Sequence, residues 1–309
     1  MAEIAIRIEN VTRDFGAVRA VDGLSLEVPA GMIFGFLGPN GAGKTTTIQL
    51  LLGLLEPTRG SAEVLGFDTR TQADQIRDHT GALLEHTGLY EQLSAEENLE
   101  YYGRIYSLPV GERQARIEEL LRRIGLWERR GDRVEKWSRG MKQKLALART
   151  LIHTPPLVFL DEPTAGLDVM AANEVREELA ALATETGTTV FLTTHNMAEA
   201  ERLCGQVAVI REGQLVAMGH PDELRSRGGE RLEVVGGGLD GNVLSLLERR
   251  PEVAAVEIAN DRLVIDLVGD VDTAPLVSLM VKSGVEIEEV RKGKASLEDV
   301  FVTLMEEGE

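Results

Sequence analysis

The sequence predicts an α/β domain with a mixed sheet and a helical insertion, followed by a small α+β domain. Two apolar stretches, residues 32–38 and 157–160, are typical of buried strands, and each leads directly into polar residues. The first stretch passes through a glycine-rich turn into a helical stretch. With 309 residues, the chain is long enough for about two domains with their own cores.

The composition limits the partners and the location of the protein. The chain is 43% hydrophobic and 27% charged, which excludes a disordered chain. We expect a cytoplasmic polypeptide, because no apolar run approaches the ~18 residues that span a bilayer and the first residues lack the pattern of a secretory signal. The net charge of −18 opposes general affinity for nucleic acid or anionic lipid. The single cysteine, Cys204, is predicted to be a buried thiol in a helix, without a function.

The glycine-rich turn carries the strongest motif of the chain. Residues 38–45, GPNGAGKT, fit the phosphate-binding pattern G-x-x-x-x-G-K-[ST] between a strand and a helix. Backbone N–H groups of such a loop surround phosphate oxygens at a helix N-terminus, while Lys44 reaches the β- and γ-phosphates and the Thr45 hydroxyl binds Mg²⁺. A turn that only packs is the alternative, and the flanking strand and helix disfavour it. The predicted nucleotide-binding residues are Gly38, Pro39, Asn40, Gly41, Ala42, Gly43, Lys44, Thr45 and Thr46.

Two carboxylates follow the second apolar strand. In residues 157–163, LVFLDEP, Pro163 ends the strand. Asp161 and Glu162 are therefore predicted at the C-terminal end of a strand, where open α/β sheets bind ligands. Asp161 suits the Mg²⁺ shell, and Glu162 can activate the water that attacks the γ-phosphate. A solvated acidic strand end is the alternative, which the upstream phosphate-binding loop disfavours. Kinases and GTPases also combine these two motifs.

A basic helix decides among these classes. In residues 137–151, WSRGMKQKLALARTL, Ser138 can cap a helix that runs to about His153. The N-terminus of this helix, with Ser138 and Gly140, is a second anion-binding helix end. Lys142, Lys144 and Arg149 are expected to be solvated or to brace the helix. The apolar residues that we expect to form one buried stripe are Met141, Leu145, Ala148 and Ile152.

Together these motifs resemble the ATP-binding cassette family. SRGMKQ matches its signature motif, LDEPTAGLD matches its Walker B and D-loop run, and the resemblance covers about the first 220 residues. It implies a homodimer in which two subunits face each other head to tail around two ATP. Ser138 and Gly140 of one subunit would then close over the phosphate-binding loop of the other. Arg139 stands where the family has its second signature glycine, so it is left out of the predicted site.

The resemblance implies roles for four further residues. Phe15 falls where an aromatic ring stacks on adenine, with a packed edge-strand ring as the alternative. His195 matches the switch histidine that holds the γ-phosphate and the attacking water, although a lone histidine is usually structural. Asp168 matches the D-loop residue between subunits and can also cap the following helix. Glu85 replaces a family glutamine and can ligate Mg²⁺. The predicted catalytic residues are Lys44, Glu162 and His195, and the predicted metal ligands are Thr45, Glu85 and Asp161.

The resemblance also implies a separately encoded membrane permease, which would hold the protein at the inner face of the cell membrane. All four tyrosines, Tyr90, Tyr101, Tyr102 and Tyr106, lie in a helical insertion expected at about residues 86–153. Tyrosine is enriched in interfaces. We expect about two of these rings to pack internally, and Tyr101 and Tyr102 to be exposed. The segment from Tyr90 to Tyr106 is therefore predicted to contact the permease.

A second domain follows a change in composition. Residues 226–230 are interpreted as a linker between an ATP-binding domain, residues 1–225, and a C-terminal domain, residues 230–309. The predicted order βαββαβ, with Asn260 and Asp261 between the middle strands, is ferredoxin-like. We interpret residues 236–238 as a connection, and Ser296 with Asp299 as the start of a final helix. With 18 acidic and 8 basic residues this domain is no nucleic-acid binder.

The function that fits these observations best is the ATP-hydrolysing subunit of an exporter, with ATP and Mg²⁺. The SLEDVF ending resembles the C-terminal extension of ATPase subunits from bacterial drug, antibiotic and sodium exporters, where it would be accessory or regulatory. A soluble cassette ATPase acting on ribosomes or DNA is the first alternative, disfavoured by the single phosphate-binding loop and the net negative charge. A kinase is the second alternative, disfavoured by the signature helix.

Overall fold

The computed structural model describes residues 3–227, 229–259 and 262–306. The chain divides into two compact units, residues 1–220 and 221–309. The strands of the first unit are β1 (Ile4–Phe15), β2 (Val18–Pro29), β3 (Ile33–Leu37), β4 (Arg59–Val64), β5 (Phe67–Asp68), β6 (Thr80–Leu83), β7 (Leu157–Asp161), β8 (Thr189–Thr194), β9 (Gln206–Arg211) and β10 (Gln214–Gly219). Its α-helices are α1 (Lys44–Leu51), α2 (Ala73–His79), α3 (Ala95–Ile105), α4 (Val110–Arg123), α5 (Arg139–Thr150), α6 (Val169–Thr186) and α7 (Met197–Leu203).

The strands of the first unit form two sheets. One is antiparallel with the order β2-β1-β4-β5, and the other has the order β10-β9-β3-β8-β7-β6. In the second sheet neighbouring strands are parallel except for the edge strand β10, which runs antiparallel to β9. The predicted α/β class with a mixed sheet is therefore confirmed.

The three central strands β3, β7 and β8 are buried along their whole length, as expected for parallel strands covered on both faces. Phe34 and Phe159 pack against Phe191 with ring centroids 5.5 and 5.7 Å apart. The register pairs Leu37 of β3 with Thr194 of β8 and Asp161 of β7 with Thr193. The C-terminal ends of these strands, and the loops that follow them, therefore meet at one edge of the sheet.

Helix α5 begins where the sequence predicts and ends earlier. The Ser138 hydroxyl accepts a hydrogen bond from the Met141 amide, which makes Ser138 the N-cap, and the helix ends at Thr150 rather than near His153. The expected buried stripe is wrong for its first member, because Met141 is only half-buried. Its other members, Leu145, Ala148 and Ile152, are buried.

The tyrosines of the insertion divide into two kinds. Tyr90 and Tyr101 are exposed, whereas Tyr102 and Tyr106 are half-buried. The expectation of an exposed Tyr102 is wrong, because its hydroxyl donates to the Gly88 carbonyl and its ring lies 5.0 Å below the Arg149 guanidinium. The Tyr106 ring stacks on His153, with 3.6 Å between centroids.

The second unit is a four-stranded antiparallel sheet with helices, as predicted. Its elements are α8 (Pro221–Arg227), β11 (Glu230–Gly237), α9 (Gly241–Leu247), β12 (Val253–Ala259), β13 (Arg262–Leu267), α10 (Ala274–Lys282), β14 (Glu286–Lys294) and α11 (Leu297–Glu306). Over the described residues the strand order is β12-β13-β11-β14, which a βαββαβ chain of the ferredoxin-like type produces. Ser296 and Asp299 form the expected reciprocal cap of α11.

Three details of the second unit differ from the prediction or fall outside it. Residues 221–227, partly assigned to the linker, form helix α8. Gly236 and Gly237 belong to β11 and not to a connection. The predicted break at Asn260 and Asp261 lies outside the described residues.

The single cysteine lies directly after α7 and not inside it. Cys204 is only 6% exposed, and burial raises the pKa of its thiol, which confirms a buried thiol. A Cβ added to Gly35 of β3 would lie 2.8 Å from its Sγ, so this glycine leaves the space that the sulfur fills. Among the described residues, none of the helices has the length and apolarity needed to cross a bilayer.

Candidate active site

The loop between β3 and α1 depends on glycine at two positions. Gly41 and Gly43 have φ values of 82° and 101°, a left-handed region that side chains disfavour. At Gly43 an added Cβ would also lie 2.3 Å from the carbonyl oxygen of Ala20 in β2. In this loop Pro39, Asn40, Gly41 and Thr45 are exposed, Gly43 and Thr46 are half-buried, and Gly38, Ala42 and Lys44 are buried.

Lys44 and His195 hold the two oxygens of one carboxylate. The Lys44 ammonium, 6% exposed, donates to the carbonyls of Gly38 at 2.8 Å and Pro39 at 3.2 Å and lies 3.3 Å from Glu162 Oε1. Glu162 Oε2 lies 2.8 Å from His195 Nδ1. The structure thus brings together the three residues predicted to be catalytic, which lie in the segments that follow three different strands, β3, β7 and β8.

Thr45 and Asp161 form a second contact between the same loops. The Thr45 hydroxyl donates to Asp161 Oδ2 at 2.7 Å, and the other carboxylate oxygen accepts from the Thr193 hydroxyl. Asp161 is 7% exposed, so its position is determined by these bonds and by the sheet. A hydroxyl and a carboxylate therefore offer oxygen ligands at one point beside the phosphate-binding loop.

The backbone at Glu162 adopts an uncommon conformation. Its φ is 51°, which costs a residue with a side chain about 1–2 kcal/mol. Its amide donates to both the carbonyl and the hydroxyl oxygen of Thr193, at 3.1 and 3.0 Å. Thr193 therefore contacts both neighbours: its hydroxyl donates to the Asp161 carboxylate, and its hydroxyl and carbonyl oxygens accept from the Glu162 amide. Thr193 was not predicted from the sequence, although its place at the end of the neighbouring strand could have indicated it.

A fully buried carboxylate, Glu199 of α7, ties three parts of the site together. Its Oε1 accepts from the Thr164 hydroxyl at 2.7 Å and from Arg176 of α6 at 3.2 Å, and its Oε2 accepts from the Thr194 hydroxyl at 2.9 Å. Thr164 follows Glu162 by two residues, and Thr194 precedes His195. Glu199 was not predicted from the sequence, because no local pattern distinguishes it from Glu201, the other acidic residue of this helix.

Phe15 lies at the end of β1 with a free ring face. The ring is 44% exposed, which excludes the packed alternative, and the Arg13 guanidinium lies 4.5 Å from its centroid. Phe15 pairs with Val18 across the β1–β2 hairpin. Two residues further along β2, the Ala20 carbonyl touches the phosphate-binding loop at Gly43. The hairpin therefore carries this aromatic ring close to the loop.

Glu85 shares a cavity with Thr45. This cavity, which we call the insertion groove, has a volume of about 440 Å³. Glu85 follows β6 and its side chain is exposed. It can therefore approach a ligand held at Thr45 without leaving a buried position. The groove is lined mainly by Thr45, Leu52, Leu54, Leu84, Glu85, Tyr106 and Arg149.

Ser138, Gly140 and Asp168 lie around the N-termini of α5 and α6. Ser138 caps α5 and is exposed, and Asp168 caps α6 by accepting from the Ala171 amide at 3.0 Å. A Cβ on Gly140 would lie 2.8 Å from that of Ala171, so the two helix starts are in direct contact. Within the subunit these residues interact with helix ends; Ser138 and Asp168 are exposed, whereas Gly140 is buried against α6.

Comparisons with known proteins agree with this geometry. The profile of the family described as ABC transporter matches residues 21–165. A daunorubicin resistance ATP-binding protein of Streptomyces coeruleorubidus is 37% identical over 98% of this chain and 96% of its own length. A bacitracin transport ATP-binding protein of Bacillus licheniformis is 35% identical over 97% of both chains. A dimeric ATP-binding cassette in a post-hydrolysis state, bound to ADP and phosphate, superimposes with a TM-score of 0.63 and 25% identity, covering 70% of this chain and 98% of that chain.

Proposed function

Because the chain belongs to the ABC transporter family, we propose that it is the ATPase subunit that powers export through a separate membrane permease. The observation that carries this proposal is the Glu162 carboxylate, held between Lys44 and His195 at the edge where the sheet binds ligands. Relatives named for drug resistance and antibiotic transport support the direction of transport. The alternative of an ATPase acting on ribosomes or DNA has no support among them.

Hydrolysis of ATP follows from the arrangement of these side chains. Glu162 accepts a proton from the water that attacks the γ-phosphorus, the bond to the bridging oxygen breaks, and ADP and phosphate leave. His195 orients the carboxylate through Oε2. Lys44 lies where its charge can stabilise the phosphates. Phe15, with its exposed ring near the loop, is proposed to stack on the adenine.

Magnesium fits the contact between Thr45 and Asp161. Mg²⁺ prefers oxygen ligands and takes one or two of them from the protein, with water and phosphate oxygens completing its shell. Within residues 3–227, 229–259 and 262–306, no three His, Cys, Asp or Glu side chains form a metal-binding cluster, and a nucleotide-bound Mg²⁺ requires none. We propose Thr45 and Asp161 as its ligands, with Glu85 as a third. Bound there, the metal would neutralise phosphate charge.

We further propose that two copies of the chain form the head-to-tail ATP sandwich. ATPases of this family work as dimers with permeases. Ser138 and Asp168 are exposed at neighbouring helix ends, and directly after Asp168 the side chains of Val169 and Met170 are 76% and 75% exposed. Apolar side chains of this size at the start of a helix are suited to burial against a second subunit. Ser138 and Gly140 would then meet the ATP on the partner's loop.

The permease is proposed to dock at Tyr90 and Tyr101, beside the insertion groove. The two rings meet edge to face at 4.8 Å, and their hydroxyls are 3.2 Å apart. Asn98, fully buried, bonds the amide and the carbonyl of Tyr90 at 2.8 and 3.0 Å, so this aromatic pair is held on a rigid backbone. Rigid tyrosines lose little entropy on binding and are frequent interface anchors. Docking there would place the subunit at the inner face of the membrane.

Replacing Tyr90 or Tyr101 by alanine is expected to weaken attachment to the permease by about 1–3 kcal/mol. The ATPase rate of the isolated subunit should change by less than about twofold, because neither ring contacts the catalytic residues. Copurification with the permease and ATPase activity are measured side by side. The control is Tyr106→Ala, which removes a ring stacked on His153 and should lower the melting temperature instead. Normal copurification of both exposed-ring variants would exclude this docking site.

The C-terminal unit is proposed to be accessory to nucleotide chemistry, since every residue of the candidate site precedes residue 200. A chain ending after His220, the boundary between the units, is therefore expected to fold and to bind ATP with an affinity within about threefold of the full chain, roughly 0.7 kcal/mol. Calorimetric titration with ATP and Mg²⁺ measures this. A folded truncated chain that binds no ATP would contradict the division into an ATP-binding and an accessory domain.

A further inference from the structure

The turn between Glu162 and Asp168 is held by α5 of the same chain, which we call the signature helix because it begins in the SRGMKQ motif. The Arg139 Nη2 donates to the Ala165 carbonyl at 2.8 Å, and Gln143 Nε2 donates to the Pro163 carbonyl at 2.7 Å. A Cβ on Gly166 would lie 2.5 Å from Arg139 Nη1, so the guanidinium covers the turn. Helix α5 thus contacts three of the residues that follow the catalytic carboxylate.

The contact from Arg139 is suited to fixing this turn. A guanidinium donates charge-assisted hydrogen bonds, which are stronger than those between neutral groups. Within the turn, the Ala165 amide donates back to the Glu162 carbonyl at 3.1 Å. A shift of the Ala165 carbonyl would therefore be passed to Glu162, whose own backbone is held in the left-handed region. On the opposite side of the turn, the Thr164 hydroxyl is bonded to Glu199.

We propose that Arg139 is a positioning residue for ATP hydrolysis, which fixes the turn carrying Glu162 of its own subunit. This inference rests on the proposed head-to-tail dimer. In that dimer Ser138 meets the ATP of the partner's site, whereas Glu162 acts on the ATP of its own site. Arg139, next to Ser138, therefore connects two different active sites: closure of the signature helix over one ATP sets the carboxylate that hydrolyses the other.

The test uses dimers with a single active site, made by co-expressing two differently tagged chains of which one carries Glu162→Gln. Arg139→Ala is placed either on the chain with the intact Glu162 or on the Glu162→Gln chain. We expect the first dimer to lose roughly tenfold in single-turnover hydrolysis rate, about 1.4 kcal/mol in the barrier, with unchanged ATP affinity. The second dimer should retain the rate within about twofold.

Two controls accompany this comparison. Lys142→Ala removes another basic side chain of α5, which pairs with Glu91 at 2.6 Å and does not touch the turn, so it should be neutral on either chain. Arg139→Lys keeps a charged donor and should restore part of the lost rate. Because Arg139 is exposed, the Arg139 variants should keep the melting temperature of the parent chain, and measuring it confirms that they are folded.

The outcomes separate the inference from the proposed function. A loss confined to the dimer with Arg139→Ala on the Glu162→Gln chain would assign Arg139 to the partner's ATP, as an ordinary signature residue, and would overturn the inference. Equal losses from either placement would also overturn it, because the effect would not be specific to the chain that carries the intact Glu162. An unchanged rate in both dimers would overturn it as well. Failure of the proposed function has a different result: the parent dimer, with Arg139 intact on both chains, would not assemble with ATP.

Discussion

Glu162→Gln is expected to slow ATP hydrolysis by about 10²–10⁴-fold while ATP binding is retained. The amide keeps the shape of the carboxylate and its place beside Lys44 and His195, but it cannot accept the proton of the attacking water. ATP should therefore remain bound between the two subunits, and the variant should form an ATP-dependent dimer. Size-exclusion chromatography with ATP and Mg²⁺ measures the dimer, and phosphate release measures the rate. A variant that stays monomeric under these conditions would contradict the sandwich.

In the same background, Ser138→Arg should abolish the dimer, because it places a bulky group where the partner's phosphates would lie. Ser138 also caps α5, so the substitution costs about 1 kcal/mol of stability and should lower the melting temperature by roughly 2–4 °C. ATP affinity of the monomer is the control and should remain. A dimer that persists would show that the signature helix does not face the second nucleotide.

Gly43→Ala is expected to reduce ATP affinity by at least about 100-fold, roughly 2.7 kcal/mol. The added Cβ would lie 2.3 Å from the Ala20 carbonyl oxygen, so the loop or β2 must shift in addition to the cost of a positive φ. Titration calorimetry with ATP gives the affinity, and circular dichroism confirms the fold.

The matched control for that variant is Gly41→Ala. Gly41 has a similar positive φ, but a Cβ added there would have no heavy atom within 4 Å, so only the conformational cost of about 1–2 kcal/mol applies. Its ATP affinity should fall by roughly tenfold, which corresponds to about 1.4 kcal/mol. Equal losses in the two variants would mean that the Ala20 contact has no part in forming the loop.

The sequence was most informative where chemistry and local structure lie in one continuous stretch. The phosphate-binding loop and the pair Asp161 and Glu162 both follow apolar runs that form central strands, and parallel strands bring their ends to one edge. Their meeting could therefore be predicted before the register of Asp161 with Thr193 was known. The βαββαβ order of the second unit was predictable for the same reason, since each element has its own apolar period.

The remainder of the site depends on side chains that are distant in sequence. Glu199 meets Thr164 across 35 positions, and Arg139 meets Ala165 across 26; no local pattern marks either contact. The exposure predicted for Tyr102 was wrong for a similar reason, because the Gly88 carbonyl and Arg149 that cover it are contributed by other segments. Such contacts depend on how distant segments pack together, whereas a motif predicts only the structure of residues that are close in sequence.

The buried thiol of Cys204 can report local opening of the fold between β3 and α7. The protein has one cysteine, enclosed against β3 at Gly35, and burial raises its pKa, so the reactive thiolate is scarce in the closed fold. An alkylating reagent can modify it only in molecules whose β3–α7 contact has separated. Labelling kinetics at this atom therefore measure fluctuations of the nucleotide-binding sheet without any engineered probe, and ligands that bind the closed form slow them in proportion to occupancy.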